Sequence, residues 1–178
     1  MVEELQNRTI IFFSGGVEST ALLSIAPPTS IAISVKIDNF NFMPNIYNIK
    51  KIIEQYKIPL EVITLDIKLQ KEKWFHQLNI LLTTSILLVN SYKNITNIWY
   101  GQNSIEPLSS NEYIFNKIHN DWKYMFPNIE FSAPLKSKSK REQWDLIPNK
   151  IKPLVSSCIT NNNCKTCHKC METPWRWL

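Results

Sequence analysis

The chain has 178 residues and a formal net charge of +5, with 44% hydrophobic and 20% charged residues. This composition is typical of one globular domain with a sizeable core, and a total of three glycines excludes collagen-like and glycine-rich disordered chains. The longest apolar run, residues 80–89, is interrupted by Thr and Ser and is too short to cross the roughly 30 Å core of a bilayer. The polar first residues are unlike a secretory signal, so we expect a cytoplasmic location and no membrane partner.

Strand-like and helix-like segments alternate along the sequence. The predicted strands are 8–13, 31–37, 60–67, 97–100 and, as a short last strand, 129–131. The predicted helices lie in 21–26, 47–56, 78–89 and 112–126. This alternation predicts a parallel α/β sheet of Rossmann-like type, within a single domain that spans residues 1–178.

All four cysteines lie close together near the C-terminal end, with the spacing C-x5-C-x2-C-x2-C. Four thiolates on one tetrahedral Zn²⁺ explain this clustering best, and such a closed site is structural. An iron–sulfur cluster and unpaired reduced cysteines are the alternatives. We therefore expect a zinc-binding appendage over residues 156–172. Its predicted ligands are Cys158, Cys164, Cys167 and Cys170.

A glycine turn follows the first predicted strand. Adjacent Gly15 and Gly16 let the backbone bring N–H groups against a ligand, and the helix start behind them adds more N–H groups and a positive dipole end. The turn indicates an anion cradle at the carboxyl end of the sheet, and the alternative is a plain turn with a serine cap. Neither a Walker GK[ST] nor a G-x-G-x-x-G motif is present. The candidate contacts are Ser14, Gly15, Gly16, Val17, Glu18, Ser19 and Thr20.

The positive charge is concentrated in the last part of the chain. From Lys136 onward there are nine basic and three acidic residues, whereas the first 135 residues hold eleven basic and twelve acidic. A solvated lysine-rich surface is one explanation, and a surface for the phosphates of a nucleotide or a nucleic acid is the other.

Several stretches together resemble one known family. SGGVEST is similar to the SGG-x-DS-T signature of the PP-loop ATP pyrophosphatases. Within that superfamily, FHQLNILLTTSILL, NIWYGQN and APLKSKSKREQW are similar to stretches of the 7-cyano-7-deazaguanine synthases (QueC), and the four cysteines resemble their zinc motif. The similarity covers residues 8 to about 172. It implies a sheet of the adenine nucleotide α-hydrolase type.

The resemblance also implies an activity. In that family ATP with Mg²⁺ activates the carboxylate of 7-carboxy-7-deazaguanine with release of pyrophosphate, ammonia gives an amide, and a second ATP drives dehydration to the nitrile. The enzyme is thus a C–N bond-forming ligase and, in the family, a homodimer. The resemblance assigns Glu18 and Lys140 to catalysis. It places Asn79 and Gly101 at the nucleotide, and Asp38 lies at the same sheet edge, although a strand-end Asx turn explains it nearly as well.

Three departures from the family pattern keep other functions open. Glu18 replaces the signature Asp, Leu78 replaces the Arg before Asn79, and residues 104–108 replace a YPDCR segment. One alternative is a related enzyme that modifies another target with a partner protein, as in bacterial antiphage defence. A second is a nucleotide-binding subunit without turnover. A third, prompted by the basic C-terminal part, is a PP-loop enzyme that modifies tRNA.

Overall fold

The computed structural model describes residues 7–37, 46–65, 77–102 and 112–156. Five strands form one sheet in the order β3-β2-β1-β4-β5, and every neighbouring pair is parallel. The predicted α/β fold with a parallel sheet is therefore confirmed. The strands are β1 (Arg8–Phe12), β2 (Ile31–Ile37), β3 (Leu60–Leu65), β4 (Ile95–Trp99) and β5 (Glu130–Ser132).

Helices connect the strands and follow the predicted order, with one addition. They are α1 (Val17–Leu23), α2 (Ile46–Tyr56), α3 (Gln77–Ser91), α4 (Glu112–Met125) and α5 (Lys140–Asp145), followed by a 3-10 turn (Lys152–Leu154). The sequence did not predict α5, because six residues are too few to show a helical period. None of the described helices is long and apolar enough to cross a membrane.

The strand order reverses beside the first strand. The chain runs from β1 through β2 to β3 on one side, and then returns to place β4 and β5 on the other side of β1. Right-handed crossovers place their helices on one face of the sheet when the strand order runs one way, and on the other face when it runs the opposite way. Helices therefore cover both faces of such a sheet. The reversal creates a switch point between β1 and β4, where loops diverge and leave a crevice at the carboxyl ends of the strands.

Alternate residues of β1 supply the two cores. Ile11 packs with α1, α2, α5 and the 3-10 turn on one face of the sheet. Ile10 packs with α3 and α4 on the other face. Both side chains are fully buried, as expected for a central strand of a parallel sheet that is covered on both sides. The crevice at the switch point is thus built on the most deeply buried strand.

An aromatic cluster fastens α4 to the second half of the sheet. Trp122 Nε1 donates to the carbonyl of Ile129 at 2.7 Å, and its ring lies 5.2 Å from that of Phe131. The Tyr100 hydroxyl and His119 Nε2 are hydrogen-bonded at 3.0 Å. Burial, and to a lesser degree the positive charge of Lys136, lowers the pKa of His119 below its usual 6.5.

The lowered pKa of His119 gives a pH dependence with a definite sign. The unfolded chain takes up a proton near the ordinary pKa, whereas the folded chain resists protonation until a lower pH. Stability is therefore complete above the ordinary pKa and is lost as the pH falls through the lowered one. We expect the free energy of unfolding, measured with urea, to fall as the pH is lowered below the ordinary pKa of 6.5. His119→Gln should show a shallower fall, and an identical slope in both proteins would contradict this assignment.

Candidate functional site

The loop after β1 is held in a conformation that needs glycine. Gly15 has a φ of +78°, a region in which L side chains are strained. A Cβ atom at this position would also lie 3.1 Å from Ile49 Cγ1 of α2. The Gly15 carbonyl accepts a hydrogen bond from the backbone N–H of Ser156 at 2.9 Å. The turn is therefore fixed both by α2 and by the segment that precedes the cysteines.

Serine hydroxyls shape the same loop from within. Ser19 Oγ accepts from the N–H of Ser14 at 3.2 Å, lies 3.1 Å from Ser14 Oγ, and donates to the Gly16 carbonyl at 3.4 Å. Ser14 is exposed, whereas Ser19 is buried. Ser14 is thus the hydroxyl that the loop presents at the surface, and Ser19 holds the turn.

The first turn of α1 contributes backbone more than side chains. Gly16 is the residue before the helix, and its carbonyl accepts the first helical bond, from Thr20 N at 3.0 Å. Val17 and Thr20 are fully buried, and Thr20 Oγ1 has no hydrogen-bond partner among the described residues. Because the first N–H groups of a helix lack intrahelical acceptors, a ligand at this loop would meet main-chain donors. For Val17 and Thr20 the predicted contacts are therefore with the main chain.

Gly101 lies against this turn from the neighbouring strand. It follows the end of β4 at the switch point, and a Cβ atom there would lie 2.8 Å from Glu18 Cβ and 2.9 Å from Ser19 N. Those distances are shorter than real Cβ contacts allow. The missing side chain therefore lets the end of β4 approach the start of α1 closely.

The two residues assigned to catalysis form an ion pair beside the loop. Lys140 Nζ lies 2.9 Å from Glu18 Oε1, with 8% and 16% of the two side chains exposed. Lys140 is the first residue of α5, and Glu18 lies in the first turn of α1. Because both groups are largely withdrawn from water, removing either charge would take an opposite charge away from a poorly solvated partner. The structure thus brings a cation and a carboxylate to the predicted cradle.

Other residues of the stretch that contains Lys140 have structural roles. Ser139 and Glu142 form a capping box, in which Glu142 Oε2 accepts from Ser139 N at 2.7 Å and Ser139 Oγ accepts from Glu142 N at 3.2 Å. Hydrogen bonds from Ser139 lower the pKa of the exposed Glu142 carboxyl. Leu135 and Trp144 are buried in the core on the α1 side. The cap fixes the start of α5, and hence the position of Lys140.

Gln143 is a residue of this site that the sequence did not single out. It is fully buried, and its Nε2 donates to the carbonyls of Gln102, Leu135 and Lys138 at 2.7, 3.0 and 3.1 Å. Gln102 follows Gly101 at the end of β4, so this side chain connects α5 to the switch point. No motif marks it in the sequence, since its role depends on carbonyls that are distant along the chain.

Several predicted site residues fall where the structure gives no description. Asp38 and the cysteines Cys158, Cys164, Cys167 and Cys170 lie outside the described residues, as does the side chain of Asn79 on α3. Their roles stay predictions, and so does the zinc-binding appendage over residues 156–172. Within the described ranges, no group of three or more His, Cys, Asp or Glu side chains could hold a metal ion.

The assembled residues fit a phosphate-bearing ligand. The loop offers main-chain N–H groups at a helix start and the exposed Ser14 hydroxyl, and Gly101 lies against it with no side chain. Lys140 supplies a positive charge at the same place. The crevice lies at the carboxyl ends of β1 and β4, where open α/β sheets bind their ligands.

Comparisons with known proteins give little beyond this. No protein-family model and no curated protein matches the chain. Among solved structures, it is similar to the U34-tRNA thiolase NcsA from Methanococcus maripaludis with its [4Fe-4S] cluster, at 16% identity, over 97% of this chain and 72% of that chain, with a TM-score of 0.49. The residues of this chain, rather than that similarity, therefore carry the functional proposal.

Gly101→Ala tests the close approach of β4 to α1. The backbone of Gly101 is not in the left-handed region, so without a steric clash alanine would stabilise the fold by about 0.4–1 kcal/mol. The contact with Glu18 and Ser19 predicts the opposite sign, a loss of about 1–3 kcal/mol. Urea unfolding of the two proteins measures the difference. An unchanged or higher free energy of unfolding for Gly101→Ala would contradict the geometry described.

Proposed function

We propose that the chain is an ATP-dependent enzyme that adenylates a carboxylate. The observation that carries this proposal is the 2.9 Å pair of Lys140 and Glu18 beside the Gly15–Gly16 turn, at the switch point of a parallel sheet. A carboxylate oxygen of the acceptor attacks the α-phosphorus of ATP, the bond to the β-phosphoryl oxygen breaks, and pyrophosphate leaves. AMP leaves when a nucleophile attacks the acyl carbon of the adenylate.

Each residue of the site has a role in this reaction. The main-chain N–H groups of the turn and the Ser14 hydroxyl bind phosphate oxygens and hold the nucleotide in place. Lys140 stabilises the negative charge that develops on the departing pyrophosphate. Glu18 orients Lys140 and supplies carboxylate oxygens, which are the ligands that Mg²⁺ prefers. Mg²⁺ bound with ATP would add further positive charge on the phosphates.

We further propose that the acceptor is the carboxylate of a 7-deazaguanine, with ammonia as the nucleophile. The resemblance of the loop, of the stretch from Pro134 to Trp144 and of the cysteine spacing to the 7-cyano-7-deazaguanine synthases supports this substrate. Glu18 in place of Asp reaches one methylene further. Its contact with Lys140 supports the idea that the longer side chain still serves the loop. The resemblance also supports a homodimer, whereas a partner protein belongs to the alternative enzyme that modifies another target.

An incubation of the chain with ATP, Mg²⁺, ammonium and 7-carboxy-7-deazaguanine tests both the adenylation and the identity of the acceptor. We expect mass spectrometry to show AMP together with the amide or nitrile of the base. Lys140→Met should lower kcat/KM by about 100-fold, because it removes charge stabilisation from the transition state. Lys150→Met is the matched control, since it removes an exposed cation of the same segment. ATP consumption with the base unchanged would exclude the deazaguanine and leave another acceptor. ATP left intact under all conditions would exclude turnover and favour a binding subunit.

We also propose that the four cysteines bind one structural Zn²⁺. Their thiolates complete a tetrahedral shell, and the bound metal would order a segment with few apolar residues. The hydrogen bond from Ser156 to Gly15 supports a position near the loop. Cys158, the first of the four cysteines, follows Ser156 by two residues in the sequence.

Metal analysis of the purified chain tests this part. We expect about one zinc per chain, lost on replacing Cys164 or Cys167 by Ser. His168→Ala is the matched control and should keep the metal, because four thiolates already fill the shell. Removal of zinc by a chelator should lower the melting temperature of the wild-type chain. Iron with sulfide in place of zinc would contradict the proposal and indicate a cluster.

A further inference from the structure

Gln143 is a polar side chain that is buried in the core, away from solvent. It lies on α5 and is fully buried, and its amide nitrogen faces three main-chain carbonyls. Carbonyl oxygens only accept hydrogen bonds, so this orientation of the amide is the one that the surroundings permit. Its Oε1 is buried without a hydrogen-bond partner among the described residues. An apolar side chain of the same volume would avoid that cost, but it would leave the three carbonyls without this donor.

The three carbonyls belong to two different segments. Gln102 follows β4 at the switch point, whereas Leu135 and Lys138 lie in the connection from β5 to α5. The side chain of Gln143 therefore connects α5 both to the segment that follows β4 and to the segment that precedes α5. The backbone N–H of Gln143 also donates to the Ser139 carbonyl at 3.0 Å, which closes the first turn of α5.

These contacts form a closed path around the candidate site. Lys140 lies one turn before Gln143 on α5 and reaches Glu18 at 2.9 Å. The start of α1, which carries Glu18, is in turn contacted by Gly101, the residue before Gln102. The path from β4 through Gln143 and Lys140 to α1 thus returns to β4. A displacement of α5 would move Lys140 away from Glu18, because the lysine stands at the first position of the helix.

We propose that Gln143 is a positioning residue that sets the location of Lys140 relative to Glu18 and the loop. It does not touch the ligand, and its effect on nucleotide binding passes through Lys140. The part of this inference that concerns nucleotide rests on the proposed function, whereas the part that concerns Lys140 and Glu18 does not. A buried amide oxygen with no partner among the described residues is the kind of local cost that folds retain at functional sites.

A double-mutant cycle in the free chain tests the link without any ligand. Gln143→Met keeps the volume and removes the donors, Lys140→Met removes the ion pair, and the double variant removes both. Each single change should lower the melting temperature by about 4–8 °C. The melting temperature of the double variant should fall by much less than the sum of the two single decreases. Gln143→Met already weakens the contact of Lys140 with Glu18, so the further loss of the lysine charge should cost little more. Gln55→Met, at an exposed glutamine of α2, is the matched control.

The wild type and the three variants of the cycle are then titrated with Mg·ATP. Gln143→Met should weaken ATP binding by about tenfold, as Lys140→Met does, and the double variant should weaken it no further. Gln143→Glu is a second variant in case the methionine protein unfolds. A protonated glutamic acid regains one donor, whereas an ionised one has none, so its affinity relative to wild type should recover as the pH is lowered.

The outcomes separate the two proposals. Additive losses in the unfolding cycle, or ATP affinity that Gln143→Met leaves unchanged, would overturn the positioning role. ATP binding by the wild type would in that case still agree with the nucleotide site of the proposed function, whose turnover the incubation with 7-carboxy-7-deazaguanine tests. If the wild-type chain bound no ATP, the proposed function would be wrong, and the unfolding cycle alone would decide the role of Gln143. Non-additive losses in both cycles would support the inference.

Discussion

The contact between Lys140 and Glu18 joins two helices that the chain reaches by different routes. Glu18 lies at the start of α1, immediately after the central strand, and Lys140 begins α5, after the last strand. A charge pair with so little exposure is favourable only when both partners are held in place, since each would otherwise lose hydration without gaining its counterion. The capping box, the amide of Gln143 and the close approach of Gly101 all act on the position of this pair.

The strand order explains why that constraint falls at this point of the molecule. Reversal of the order beside β1 places the loops after β1 and β4 side by side and separates the helices on the two faces. A ligand that enters the crevice therefore meets main-chain donors from the loop after β1. It meets the lysine because the connection from β5 leads α5 back to the same edge. The glycine turn and the lysine of the candidate site thus come from opposite ends of the described chain.

Glycine is used sparingly in this protein, and two of its three positions show why. Gly15 takes a backbone conformation that other residues avoid, and Gly101 makes room for a neighbouring helix. At Gly101 the missing side chain brings main chain close to main chain, whereas Gly15 lies against the side chain of Ile49. Phosphate groups are bound well by such surfaces, because main-chain N–H groups are rigid donors that need no side-chain ordering.

The sequence by itself determined the alternation of strands and helices, the parallel sheet and the turn at Gly15 and Gly16. These features are local, since burial period and glycine chemistry can be recognised within a few residues. The tertiary structure alone decided that Lys140 pairs with Glu18, that Glu142 caps α5, and that Gln143 connects α5 to the end of β4. Those contacts depend on the order of the strands and on where distant carbonyls and charges meet. The six residues of α5 are also too few to show a helical period in the sequence. Pattern therefore specified the elements, and packing at the switch point specified the site.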